Sequence, residues 1–119
     1  MDMSVDASDI LASVPAFGDR FLRLVEGADG DPGDAATLTE LADFVAGLVA
    51  DLEERRPVLE GCLAAVERMA LRSEEGAELV AWAFLDSLSP DDRLRLAGWF
   101  GPRTRALAEE VDGADLGGA

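Results

Sequence analysis

With 119 residues, 49% of them hydrophobic, the chain is long enough for one domain with one core and too apolar for a disordered acidic tail. A net charge of -15 and a pI near 4.1 argue against a nucleic-acid backbone or an anionic membrane as partner, since both bind basic patches, and leave another protein, a basic one, as the compatible partner. Histidine is absent, which removes the commonest general base and the commonest metal ligand, so no cofactor is expected.

Lysine, asparagine, glutamine and tyrosine are missing too, and all ten basic residues are arginine. That pattern suggests a GC-rich bacterial or archaeal genome, which by itself supplies part of the acidity. No apolar run reaches the ~18 residues a membrane span needs. The start, MDMSVDASD, has neither the basic end nor the apolar stretch of a secretory signal, and the single Cys62 cannot form an internal disulfide. The expected location is the cytoplasm.

Residues 1–8 read as a frayed end, with Asp6 or Ser8 capping a short helix through Leu11 and Ser13. Pro15 marks a second start, after which Phe17, Phe21, Leu24 and Val25 recur at helical spacing, with Arg20, Arg23 and Glu26 on the other side. The helix is expected to break near Val14 and end at Gly27. Residues 27–36, GADGDPGDAA, form a loop. In it Asp29 and Asp31, followed by Glu40, occupy positions 1, 3 and 12 of a calcium loop. Gly33 falls where a ligand is needed and Asp34 where glycine makes the turn, so the simpler reading is an acidic connection with Asp34 as the next helix cap.

That next helix is expected over 35–54. Leu38, Leu41, Val45, Leu48 and Leu52 make one apolar stripe, and Glu40, Asp43, Asp51 and Glu54 make a continuous acidic stripe on the opposite side, across Gly47. Arg55 and Arg56 close the helix, and Pro57 opens another whose buried face is Leu59, Cys62, Leu63, Val66 and Met69 or Ala70. Cys62 reads as a small core residue. Gly61, Ala64 and Ala65 offer a surface for close helix packing.

Ser73 caps the following helix, with Glu74, Glu75 and Glu78 at its positive end. At 100° per residue, Ala77, Val80, Ala81, Phe84, Leu85 and Leu88 share one face, while Leu79 and Trp82 project on the other beside Glu75, Glu78 and Asp86. A helix this apolar all round is expected to be central, with Trp82 covered by the segment 99–107. Ser89-Pro90-Asp91-Asp92 starts a short helix expected to turn Leu94 and Ala97 inward and Arg93 and Arg95 outward. Gly101-Pro102 restarts the chain into a last helix through Leu107 and Val111, leaving 112–119 as an acidic, glycine-rich tail.

No alternating strand pattern occurs. The expected fold is all-α, one compact bundle of five to seven helices over residues 9–111, whose central hairpin resembles a degenerate HEAT or armadillo pair without a repeat of roughly 40–47 residues.

The run VERMALRSEEGAELVAWAFLDSL, followed by FGPRTRAL, resembles a group of small bacterial all-helical proteins of uncharacterised function. The shared elements are Phe84-Leu85-Asp86-Ser87-Leu88 at the end of a helix hairpin and Gly101-Pro102 at the start of the last helix. The resemblance covers about half the chain and carries over no catalytic residue. It implies an immunity partner of a secreted toxin.

An enzyme is the least supported class, because adjacent carboxylates such as Glu53-Glu54 diverge by about 100° on a helix. The leading class is a protein-binding module occluding a basic partner, through Glu40, Asp43, Asp51 and Glu54, or through Glu75, Glu78, Trp82 and Asp86. The alternative is an accessory or adaptor subunit of a larger bacterial complex.

Overall fold

The computed structural model describes residues 5–28 and 33–117, with side chains described over 8–28 and 33–113. Seven α-helices follow one another, and there is no strand among the described residues: α1 (Val5–Ser13), α2 (Gly18–Ala28), α3 (Asp34–Ala46), α4 (Arg56–Arg72), α5 (Glu74–Leu79), α6 (Pro90–Leu96) and α7 (Pro102–Gly117). The all-α bundle expected from the sequence is therefore the observed fold. Its radius of gyration, 13.6 Å, matches the roughly 13–14 Å of a packed chain of this length.

Helix α4 lies at the centre. Leu59, Cys62, Leu63, Val66, Met69 and Ala70 are all buried, as their spacing requires, and Ala65 joins them. Helices α1 and α5 pack against it. Gly61 is where α1 comes closest: a Cβ there would stand 2.7 Å from the Ser13 carbonyl oxygen. Arg68 then ties the two helices, its Nε and Nη2 donating to the two carboxylate oxygens of Asp9 at 2.8 and 3.0 Å. Phe17, Phe21, Leu38, Leu41 and Val45 continue the same core on the α2–α3 side.

Several boundaries differ from the expected ones. Helix α1 already runs from Val5, so Asp6 and Ser8 lie within it rather than capping it. The break at Val14 is present, followed by a 3-10 turn, Pro15–Phe17, that leads into α2. Asp34 is the first residue of α3, not its cap; Gly33, at φ 88°, precedes it, and the Thr37 hydroxyl donates to the Gly33 carbonyl at 2.8 Å. The last helix continues to Gly117, through positions read as tail.

Two helix starts are built as their sequences specify. Ser73 Oγ accepts from the Gly76 N–H at 2.9 Å, and Ser89 Oγ accepts from the Asp92 N–H at 3.1 Å. Helix α5 is short because the chain changes period after Leu79. Val80–Leu85 form a π-helical stretch, closed by the Asp86 N–H donating across five residues to the Ala81 carbonyl at 3.0 Å. This wider turn brings Ala83 into the core beside Val80, Phe84 and Leu85.

The C-terminal carbonyls that the π turn exposes are taken up by side chains. Ser87 and Thr39 hydroxyls donate to the Ala83 carbonyl at 2.7 and 3.3 Å. Arg93 Nη1 donates to the Leu85 and Leu88 carbonyls at 3.0 and 2.7 Å, and its Nε donates to Asp112 Oδ1 at 2.7 Å. Arg93 is thus 3% exposed and Leu94 is 74% exposed, the reverse of what was expected for these two, while Arg95 is exposed as expected and Ala97 is partly buried. The guanidinium goes inward because it finds two carbonyls and a carboxylate there. Leu96 and Phe100 supply the apolar contacts that Leu94 does not.

Candidate functional site

The acidic stripe expected along 40–54 is not continuous. Helix α3 ends at Ala46; Gly47 and Leu48 turn, and Val49–Asp51 form a separate 3-10 turn. Glycine at the point of the break is a poor helix residue, and the helical period does not hold through it. The two halves have different fates. Arg20 Nη1 lies 3.3 Å from Glu40 Oε1 and 2.9 Å from Asp43 Oδ2, so these acids join α2 to α3. The same guanidinium sits 5.4 Å over the Phe44 ring, and Phe44 meets Phe17 edge-on at 5.7 Å. Glu40 and Asp43 serve the fold first.

Asp51 and Glu54 stand elsewhere. With Glu53, Val49, Ala50 and Leu52 they line an open groove of about 420 Å³ whose far wall is Trp99. Arg56 flanks it, its guanidinium 5.1 Å from the Trp99 ring centre and 2.9 Å from Glu53 Oε2. Trp99 itself is partly buried, while its neighbour Phe100 is in the core.

Trp82 is 58% exposed, contrary to the expected cover by 99–107. The reason lies in where α7 docks. Arg103, Leu107 and Glu110 come against Glu74, Ala77, Glu78 and Ala81, around a cleft of about 210 Å³. The last helix therefore approaches over the two small alanines and leaves the bulky indole uncovered. Glu75, Glu78 and Asp86 are exposed on the same helical segment, and Leu79 is partly buried against the core. None of Glu75, Glu78 and Asp86 makes an ion pair among the described residues. Glu78 also borders the cleft with α7, and the π stretch lies between it and Asp86, so what these residues share with Trp82 is exposure on one stretch of chain.

Cys62 is fully buried, and burial pushes its thiol pKa up to about 12, a backbone hydrogen bond offsetting only part of the rise. The thiol is protonated and enclosed, as a core residue should be. Among the described residues no group of three or more Cys, Asp or Glu side chains is placed to hold a metal ion. Asp29 and Asp31 of the calcium-loop alternative lie outside the described residues, and Glu40 pairs with Arg20.

Two features of these surfaces carry little signal in the sequence. The groove at Trp99 depends on the chain leaving helical geometry at Gly47, and its only signal was that glycine. The exposure of Trp82 depends on the side from which α7 approaches, which the pair Ala77 and Ala81 marks. No helix among the described residues is long and apolar enough to cross a membrane. No family model, curated protein or solved structure matches the chain.

Proposed function

We infer that this protein is a non-catalytic, acidic protein-binding module whose Trp82 face receives a basic protein, in the manner of an immunity protein occluding a toxin. The supporting observation is the exposed indole of Trp82, with Glu75, Glu78 and Asp86 exposed on the same segment. An indole gains apolar burial on binding and is a frequent hot-spot residue. Carboxylates around it reject acidic partners and steer basic ones, and the net charge of -15 extends that field. Binding would act by covering the partner's basic surface. The lone, buried thiol supports a reducing, cytoplasmic setting.

The accessory-subunit reading is favoured by three further exposed apolar side chains, Leu22 at 58%, Leu71 at 65% and Leu94 at 74%. Affinity capture from an extract of the native host at low salt separates the two. A stoichiometric basic partner released by salt and lost with Trp82→Ala supports the first reading. An acidic or neutral partner held at high salt supports the second, and no stoichiometric partner at low salt contradicts both.

A further inference from the structure

We propose that the groove between residues 49–54 and Trp99 receives an arginine side chain from a second protein, the guanidinium lying against the indole with Asp51 and Glu54 as its counter-ions. The groove, about 420 Å³ and largely open to solvent, is lined by three carboxylates, an indole and no cation. Neither Asp51 nor Glu54 makes an ion pair among the described residues. Arg55 and Arg56 are exposed on the adjoining chain but do not line it.

The protein already displays the chemistry once. Arg56 places its guanidinium 5.1 Å from the Trp99 ring and 2.9 Å from Glu53. That combination, a planar cation on an aromatic ring with its edge on a carboxylate, is one that arginine makes and lysine matches poorly. Glu53 is thereby committed to Arg56, whereas Asp51 and Glu54 keep their acceptor oxygens for an incoming donor. Charge complementarity selects the occupant: a second copy of this acidic chain would be repelled, and a basic segment of another protein would be drawn in.

This proposal rests on the groove alone, so it and the reading of the Trp82 face can each fail separately. The test uses the full chain carrying Trp82→Phe, which leaves Trp99 as the only tryptophan. A blocked five-residue peptide, Gly-Ser-Arg-Ser-Gly, is titrated to millimolar concentration while Trp99 fluorescence is followed. The expected result is a saturable change, absent with the neutral citrulline analogue and weaker with the lysine analogue. Asp51→Asn with Glu54→Gln is expected to weaken binding about tenfold. Arg56→Ala, which removes a competing cation, is expected to tighten it about two- to fivefold. Far-UV circular dichroism confirms that each variant is folded. No saturable change, an equal response to the citrulline or lysine analogue, or unchanged binding by the folded double variant overturns the proposal.

Discussion

Glu67 of α4 caps α7 from across the bundle: its Oε1 accepts from the Thr104 N–H at 2.8 Å and from the Thr104 hydroxyl at 2.7 Å, 37 residues further along the chain. Oε2 accepts from the Arg103 N–H at 3.0 Å. The first turn of α7 has no acidic residue of its own, so the helix's positive end is met by a carboxylate from the central helix. This contact fixes where α7 starts, and so which side of the π turn it covers and which it leaves open.

Burial acts to raise the Glu67 pKa, but the two backbone N–H groups, the Thr104 hydroxyl and the Arg103 charge outweigh it and hold the group below its ordinary value of 4.5. A carboxylate lowered on folding contributes stability that is complete above that value and is lost as pH falls through the folded one. Glu67→Gln should cost about 1–2 kcal/mol at pH 7 by urea unfolding, and the variant should lose less stability than the wild type between pH 5 and 3. Equal acid sensitivity in both would remove Glu67 from this role.

The buried arginine makes a second, graded expectation. Arg93→Met removes the donor from the Leu85 and Leu88 carbonyls and should cost about 2–4 kcal/mol. Asp112 is 45% exposed at its side chain, so Asp112→Asn, which keeps an acceptor oxygen, should cost about 1 kcal/mol or less. Denaturant midpoints of the two variants check the order.

Gly76 provides a steric expectation. A Cβ at this position would lie well inside contact distance of the Met69 backbone carbonyl, so α4 and α5 meet there with no room for a side chain. Gly76→Ala should destabilise by about 1–3 kcal/mol despite alanine's better helix propensity. Gly98→Ala, with open space around it, should change the melting temperature little by comparison.

Cys62 should be unreactive in the native protein. With the thiol buried and its pKa pushed up to about 12, labelling by a disulfide reagent at pH 8 should proceed only through unfolding. Labelling at the rate of a free peptide thiol would show that the α4 face opens.

Much of the fold was legible because it is written locally. Ser73 and Ser89 cap the helices they precede, Pro57 stands in the first turn of α4, and the i, i+3, i+4 pattern of Leu59, Cys62, Leu63 and Val66 named the buried face of the central helix. What could not be read is non-local or departs from a fixed angle. The π turn at Val80–Leu85 shifts the facing of every later side chain relative to a 100° wheel. Arg93 points inward only because carbonyls of another segment wait there. Glu40 and Asp43 looked like a free acidic face because their partner, Arg20, lies 20 and 23 residues away. Glu75, Glu78 and Asp86 are exposed, as charged residues flanking an apolar stretch are expected to be.

The most direct measurement is isothermal titration of the partner captured from the native host against the wild type, Trp82→Ala and the control Asp19→Arg, each at low and at physiological salt. Asp19 is exposed on α2, a different helix from the Trp82 segment. Trp82→Ala should weaken binding by about thirtyfold or more, as a hot-spot anchor does, with stability changed by no more than about 0.5 kcal/mol. Asp19→Arg should bind nearly as tightly as the wild type, and salt should weaken all three. An unchanged affinity for Trp82→Ala would contradict the assignment of this face as the binding surface.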